Sequence, residues 1–158
     1  MGYELEALVA KESLLRKHQS AFSKAYVAPF APGFALIPVT DAFKEEVNRQ
    51  APERSKPELH GFASLSPAVA AWAERISLDG AVAYIEADYF GDRGSEVAIV
   101  WQDGMIAAGP LSSGDAISHA LRMLGMEWSP WWDTWWDEYA TVGLGQHRRT
   151  DAWVSRAR

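Results

Sequence analysis

The 81–110 segment constrains the fold more tightly than any other stretch. Ala81 to Phe90, Ser95 to Gln102 and Met105 to Pro110 are three apolar-rich runs, separated by Gly91-Asp92-Arg93-Gly94 and by Asp103-Gly104. An Asp-Gly pair between two such runs marks a two-residue hairpin, because both central positions of that turn need positive φ. The spacing predicts a three-strand antiparallel meander over 81–110. Its apolar face needs a cover, so the expected class is α+β, a mainly antiparallel sheet with helices packed on one face.

The rest of the chain supplies strands and covers. Tyr3 to Ala10 alternates as a strand does, and Lys11 to Gln19 reads as helical. Ala25 to Phe30 and Phe34 to Val39 flank Ala31-Pro32-Gly33, a hairpin signal. Thr40-Asp41 caps a helix through Gln50, and Ser66-Pro67 opens a second one ending at Asp79-Gly80. Ser112 or Ser113 is the expected cap of a third, with Ala116, Ile117, Ala120, Leu121 and Leu124 on one stripe and Gly125 as its left-handed C-cap. Residues 51–59, with two prolines and several charges, read as a surface loop, and 146–158 as a basic C-terminal tail. With 158 residues and no repeat, one globular domain over 1–158 is expected.

Met126 to Tyr139, MEWSPWWDTWWDEY, holds five of the eight tryptophans. Ser129-Pro130 is a helix-start pair, and helical spacing puts Trp131, Trp132, Trp135 and Trp136 on one half of the cylinder. Asp133, Asp137 and Glu138 fall on the other half. The aromatic face is either core packed on the meander, with Trp72, Trp101 and Trp153 as neighbours, or a surface for a partner.

Charge is unevenly spread. Residues 1–78 are net zero, 79–138 carry −9 and 139–158 carry +3, within a total of −6. The middle block repels phosphates and attracts basic partners, so nucleic acid is not an expected partner. No cysteine is present, which excludes disulfides and thiolate chemistry. No membrane-length apolar run or signal peptide is evident, and a cytoplasmic location is expected.

Few motifs carry chemistry. Glu86 and Asp88 point to one side of their strand, about 7 Å apart. Such a pair could serve glycoside hydrolysis or a hard cation, against the plainer reading of a solvated strand face. His18, His60, His119 and His147 stand at no metal-ligand spacing, so no metal or cofactor is expected. Gly143-Leu144-Gly145-Gln146 before His147, Arg148 and Arg149 offers a weak anion site, or a structural turn. No nucleophile elbow, P-loop or EF-hand occurs.

Two runs carry a resemblance: Glu86-Ala87-Asp88-Tyr89-Phe90-Gly91 onward through Gly94, Ala98, Trp101, Asp103-Gly104 and Gly109-Pro110, and 142–153, VGLGQHRRTDAW. With Gly33 to Asp41, they resemble small uncharacterised bacterial proteins, some encoded near polymorphic-toxin genes and regarded as immunity proteins. The resemblance implies a non-enzymatic protein that binds a basic partner such as a toxin domain, and it carries no catalytic residues. The partner-binding residues expected are Glu86, Asp88, Asp92, Trp131, Trp132, Asp133, Trp135, Trp136, Asp137 and Glu138. The alternatives are a small hydrolase or carbohydrate-binding domain using Glu86 and Asp88 beside a tryptophan-lined cleft, and a homo-oligomeric module. The protein itself is expected as a monomer or homodimer.

Overall fold

Alternation in the first residues produces the central strand of the sheet. The computed structural model describes residues 2–52, 61–90, 93–127 and 143–157. Among them, the strands are β1 (Gly2–Lys11), β2 (Ala28–Ala31), β3 (Phe34–Pro38), β4 (Val82–Phe90), β5 (Arg93–Gln102) and β6 (Met105–Ser112). They form one sheet in the order β2-β3-β1-β4-β5-β6, with every neighbouring pair antiparallel. The helices are α1 (Glu12–His18), α2 (Asp41–Gln50), α3 (Pro67–Ile76), α4 (Ala116–Met123) and α5 (Ala152–Ala157). The α+β class, the antiparallel sheet and the meander are as the sequence predicts.

Helices cover both faces, whereas one covered face was expected. Leu8, Ala10, Ile37, Tyr84, Ile99 and Trp101 meet α1, α2 and α3 through Leu15, Phe43, Val47 and Trp72. Leu5, Ala7, Val9, Ile85 and Val100 meet α4 and α5 through Ile117, Leu121 and Trp153. The reason lies in continuous apolar runs. Ala7-Leu8-Val9-Ala10 and Val82-Ala83-Tyr84-Ile85 leave neither side polar, as strands buried on both faces require. Trp72 and Trp101 are therefore separated by the sheet from Trp153, so the three cannot surround one aromatic face.

Local signals act where they stand in the sequence. The Thr40 hydroxyl accepts the Phe43 N–H at 3.1 Å, and the Ser66 hydroxyl accepts that of Val69 at 3.2 Å. Gly125 follows α4 at φ +96°, the left-handed conformation that glycine adopts without strain. The cap of α4 differs from expectation. Ser112 ends β6, Ser113 donates to Asp115, and Asp115 holds the N-cap position without a side-chain cap bond. Instead the buried Glu96 carboxylate reaches from β5 and accepts the Ile117 N–H at 3.0 Å, while Tyr89 donates to its other oxygen at 2.8 Å.

Glu46 does the same for the chain before β2. Its carboxylate, buried on α2, accepts the N–H groups of Ser23 at 3.1 Å and Lys24 at 2.8 Å, and the Ser23 hydroxyl. Desolvation pushes this carboxyl up, but the Ser23 hydroxyl and the two backbone donors, with the Lys24 charge, hold it below the usual carboxylate range.

The 143–157 segment is built into the sheet rather than trailing from it. β3 stops at Pro38 opposite Ala7, the Val39 N–H still donates to the Glu6 carbonyl at 2.8 Å, and beyond that bond no strand among the described residues lies on the outer edge of β1. Residues 148–150 fill the gap: the Glu4 N–H donates to the Arg148 carbonyl at 2.8 Å and the Glu6 N–H to the Thr150 hydroxyl at 3.0 Å. Tyr3 donates to the Leu144 carbonyl, Gln146 donates to the Phe30 carbonyl, and Trp153 is fully buried. At Gly143 (φ +94°) a Cβ would collide with the Phe30 carbonyl oxygen.

Two outcomes are expected. Glu96→Ala strips the Ile117 N–H of its partner and should cost about 2 kcal/mol in urea unfolding, against under about 0.5 kcal/mol if the bond is incidental. The carboxyl of Glu46 lies lower in the fold than in the unfolded chain. Its contribution is therefore present above the unfolded value, about 4.3, and lost as pH falls below it. Wild type should be more stable than Glu46→Gln at pH 7, with the difference closing in acid unfolding titrations.

Candidate functional site

Below the doubly buried half, β1 and β4 change pattern. Glu4 and Glu6 alternate with Tyr3 and Leu5, and Glu86 and Asp88 with Ile85 and Ala87. The register sets Glu4 opposite Asp88 and Glu6 opposite Glu86, so four carboxylates share the sheet face that α1 to α3 cover higher up. Like charges directly opposite each other across strands destabilise a sheet.

The inner pair is partly absorbed. Residues 61–64 cross this face, with the Phe62 ring edge-on to Tyr84 at 5.6 Å. The Ala63 N–H donates to both Glu86 oxygens, at 2.7 and 3.1 Å, and the Ser64 N–H donates to one of them at 3.1 Å. Tyr84 donates to the same carboxylate at 3.3 Å, and the Ser64 hydroxyl donates to Glu6 at 2.8 Å. Desolvation pushes the Glu6 carboxyl above its ordinary range. The Glu86 and Glu4 charges add to the shift, against the Ser64 hydroxyl and Lys44. Burial also raises the Tyr84 phenol well above its ordinary value, with the charges of Glu86 and Glu6 acting in the same sense.

The outer pair faces solvent. Asp88 is exposed, and Glu4 is half-exposed, with an Arg149 guanidinium nitrogen 3.4 Å from its carboxylate. A shallow depression of about 270 Å³ lies among Glu4, Glu6, Glu86, Asp88 and Ser95. Two residues beyond Asp88, on the same side of β4 and next to Gly2, stands Phe90, 73% exposed. An exposed aromatic beside solvent-facing carboxylates is the composition of an interface anchor.

The residues expected from the sequence are placed unequally. Asp88 sits on the rim, whereas Glu86 is buried and spends both oxygens on backbone donors. That commitment leaves the Glu86/Asp88 pair without the second free carboxylate a glycosidase uses. Asp92, Trp131, Trp132, Asp133, Trp135, Trp136, Asp137 and Glu138 lie outside the described residues. His147 packs edge-on against Trp153 at 4.8 Å, the Arg148 carbonyl accepts from Glu4, and Arg149 reaches the Glu4 carboxylate. Among the described residues, no group of three or more His, Asp or Glu is placed to hold a metal ion. Glu4, Glu6 and Phe90 were not singled out from the sequence. Acids at alternate positions of Tyr3 to Ala10 were the available signal, and only the pairing of β1 with β4 gives it meaning.

No family model, curated protein or solved structure matches the chain. Among the described residues, no helix is long and apolar enough to cross a membrane.

Glu6 titrates with the opposite sign to Glu46. Its raised carboxyl makes ionisation in the fold unfavourable, a cost absent below the unfolded value and complete above the folded one. Glu6→Gln keeps an acceptor for Ser64. It should raise the thermal midpoint at pH 7 and lose that advantage as pH falls toward 4, about the unfolded carboxyl value. A lower midpoint at pH 7 would show that the Glu6 charge stabilises the fold.

Proposed function

We propose that this is a non-enzymatic, cytoplasmic protein-binding protein that docks a basic partner on Glu4, Asp88 and Phe90. The observation that carries the reading is the juxtaposition of a solvent-facing aromatic ring with carboxylates set opposite one another across β1 and β4. That arrangement opposes folding through like-charge repulsion, and a cationic partner relieves it on binding. The aromatic ring supplies apolar area at the same place, so steering and anchoring coincide. The net charge of −6 favours the encounter at low ionic strength. The resemblance to immunity proteins narrows the partner to a basic toxin domain.

Glu4→Lys, Asp88→Lys and Phe90→Ala alter exposed or half-exposed positions, so the combined variant should fold. Tagged wild-type protein, recovered from its own host at low salt, should retain a basic protein that the variant loses. The complex should also weaken as salt is raised. Recovery of no protein partner, or equal recovery by the variant, rejects the reading.

A further inference from the structure

At the opposite end of β1, about 24 Å from Glu4 by the strand rise, the sheet opens between its two helix layers. Here β1 ends at Lys11, α1 passes on one face and α4 terminates on the other. Between them lies a cleft of about 530 Å³ lined by Lys11, Leu14, Lys17, Asp79, Gln102 and Met123, closed by the glycines at 80 and 125. That volume is within the roughly 300–1,000 Å³ of small-molecule sites.

Its walls have two characters. Leu14 and Leu124 give a buried apolar floor, and Met123 remains 37% exposed over it. The polar side carries surplus positive charge. The Asp79 carboxylate is taken by Lys17 at 3.1 Å and by the His18 ring at 2.9 Å. Lys11 is exposed and has no ion-pair partner among the described residues. In a chain with a net charge of −6, this is a cationic concavity beside aliphatic surface.

We propose that this cleft binds a small amphipathic carboxylate, its head on the Lys11 ammonium and its aliphatic body against Leu14, Met123 and Leu124. One uncommitted ammonium suits a single negative charge. A phosphate dianion calls for a denser set of donors, such as an arginine fork. The exposed Met123 excludes a purely polar anion as the best fit, because such a ligand leaves that side chain uncovered.

Sodium octanoate is the probe, titrated into the ¹⁵N-labelled full chain and followed by amide chemical shifts. Saturating shifts centred on Lys11, Gly80, Ala81, Gln102 and Gly125 are expected. Lys11→Met, at an exposed site, should weaken binding at least about tenfold. Met123→Glu, which sets a carboxylate at the mouth, should abolish it. Octylamine, with the same chain and the opposite charge, should give no saturating shifts. The proposal is overturned by absence of saturation, by shifts centred elsewhere, by unchanged affinity in either variant, or by octylamine binding as well as octanoate.

Discussion

Buried carboxylates hold this sheet to its connections. Glu46 on α2, Glu86 on β4 and Glu96 on β5 are each almost wholly removed from solvent, and each accepts backbone N–H groups from a segment distant in sequence. An ionised acceptor makes a stronger bond to an amide than a carbonyl does, and leaving it unpaired costs more. Each carboxylate therefore selects one placement of its segment: 23–24 beside α2, 63–64 across the sheet, and the first turn of α4 above β5. Part of the acidity that looks like surface charge in the composition is structural.

The two central strands are divided along their length. Where β1 and β4 are continuously apolar, helices cover both faces; where acids alternate with apolar residues, only the α4 and α5 side stays fully buried. The free edge left when β3 ends is closed by residues 148–150, which explains why a polar, arginine-bearing segment also carries a fully buried tryptophan. The division also separates the two candidate surfaces. The acidic ledge with Phe90 occupies the polar end of β1, and the cationic cleft the opposite end.

What the sequence disclosed follows the range of the interactions involved. The caps at Thr40 and Ser66, the Asp103-Gly104 turn and the Gly125 stop act within a few residues, and each is found where its residues stand. The cap of α4 was missed because its acceptor is 21 residues upstream on another element. The meeting of Arg149 with Glu4 spans 145 residues and depends on where β3 ends. Glu86 and Asp88 were correctly read as sharing a face, but spacing alone could not show that residues 63–64 would bury one and leave the other free. The acidic ledge was half legible: β4 supplied its two acids, and only the register against β1 added Glu4, Glu6 and the position of Phe90 beside them.

Amide hydrogen exchange, resolved by residue in wild type and in Glu46→Ala, Glu86→Ala and Glu96→Ala, tests the role of the buried carboxylates most directly. Each variant should accelerate exchange selectively at the amides its own carboxylate accepts: Ser23 and Lys24, Ala63 and Ser64, or Ile117. Uniform acceleration across the sheet, or unchanged protection at those amides, would contradict it.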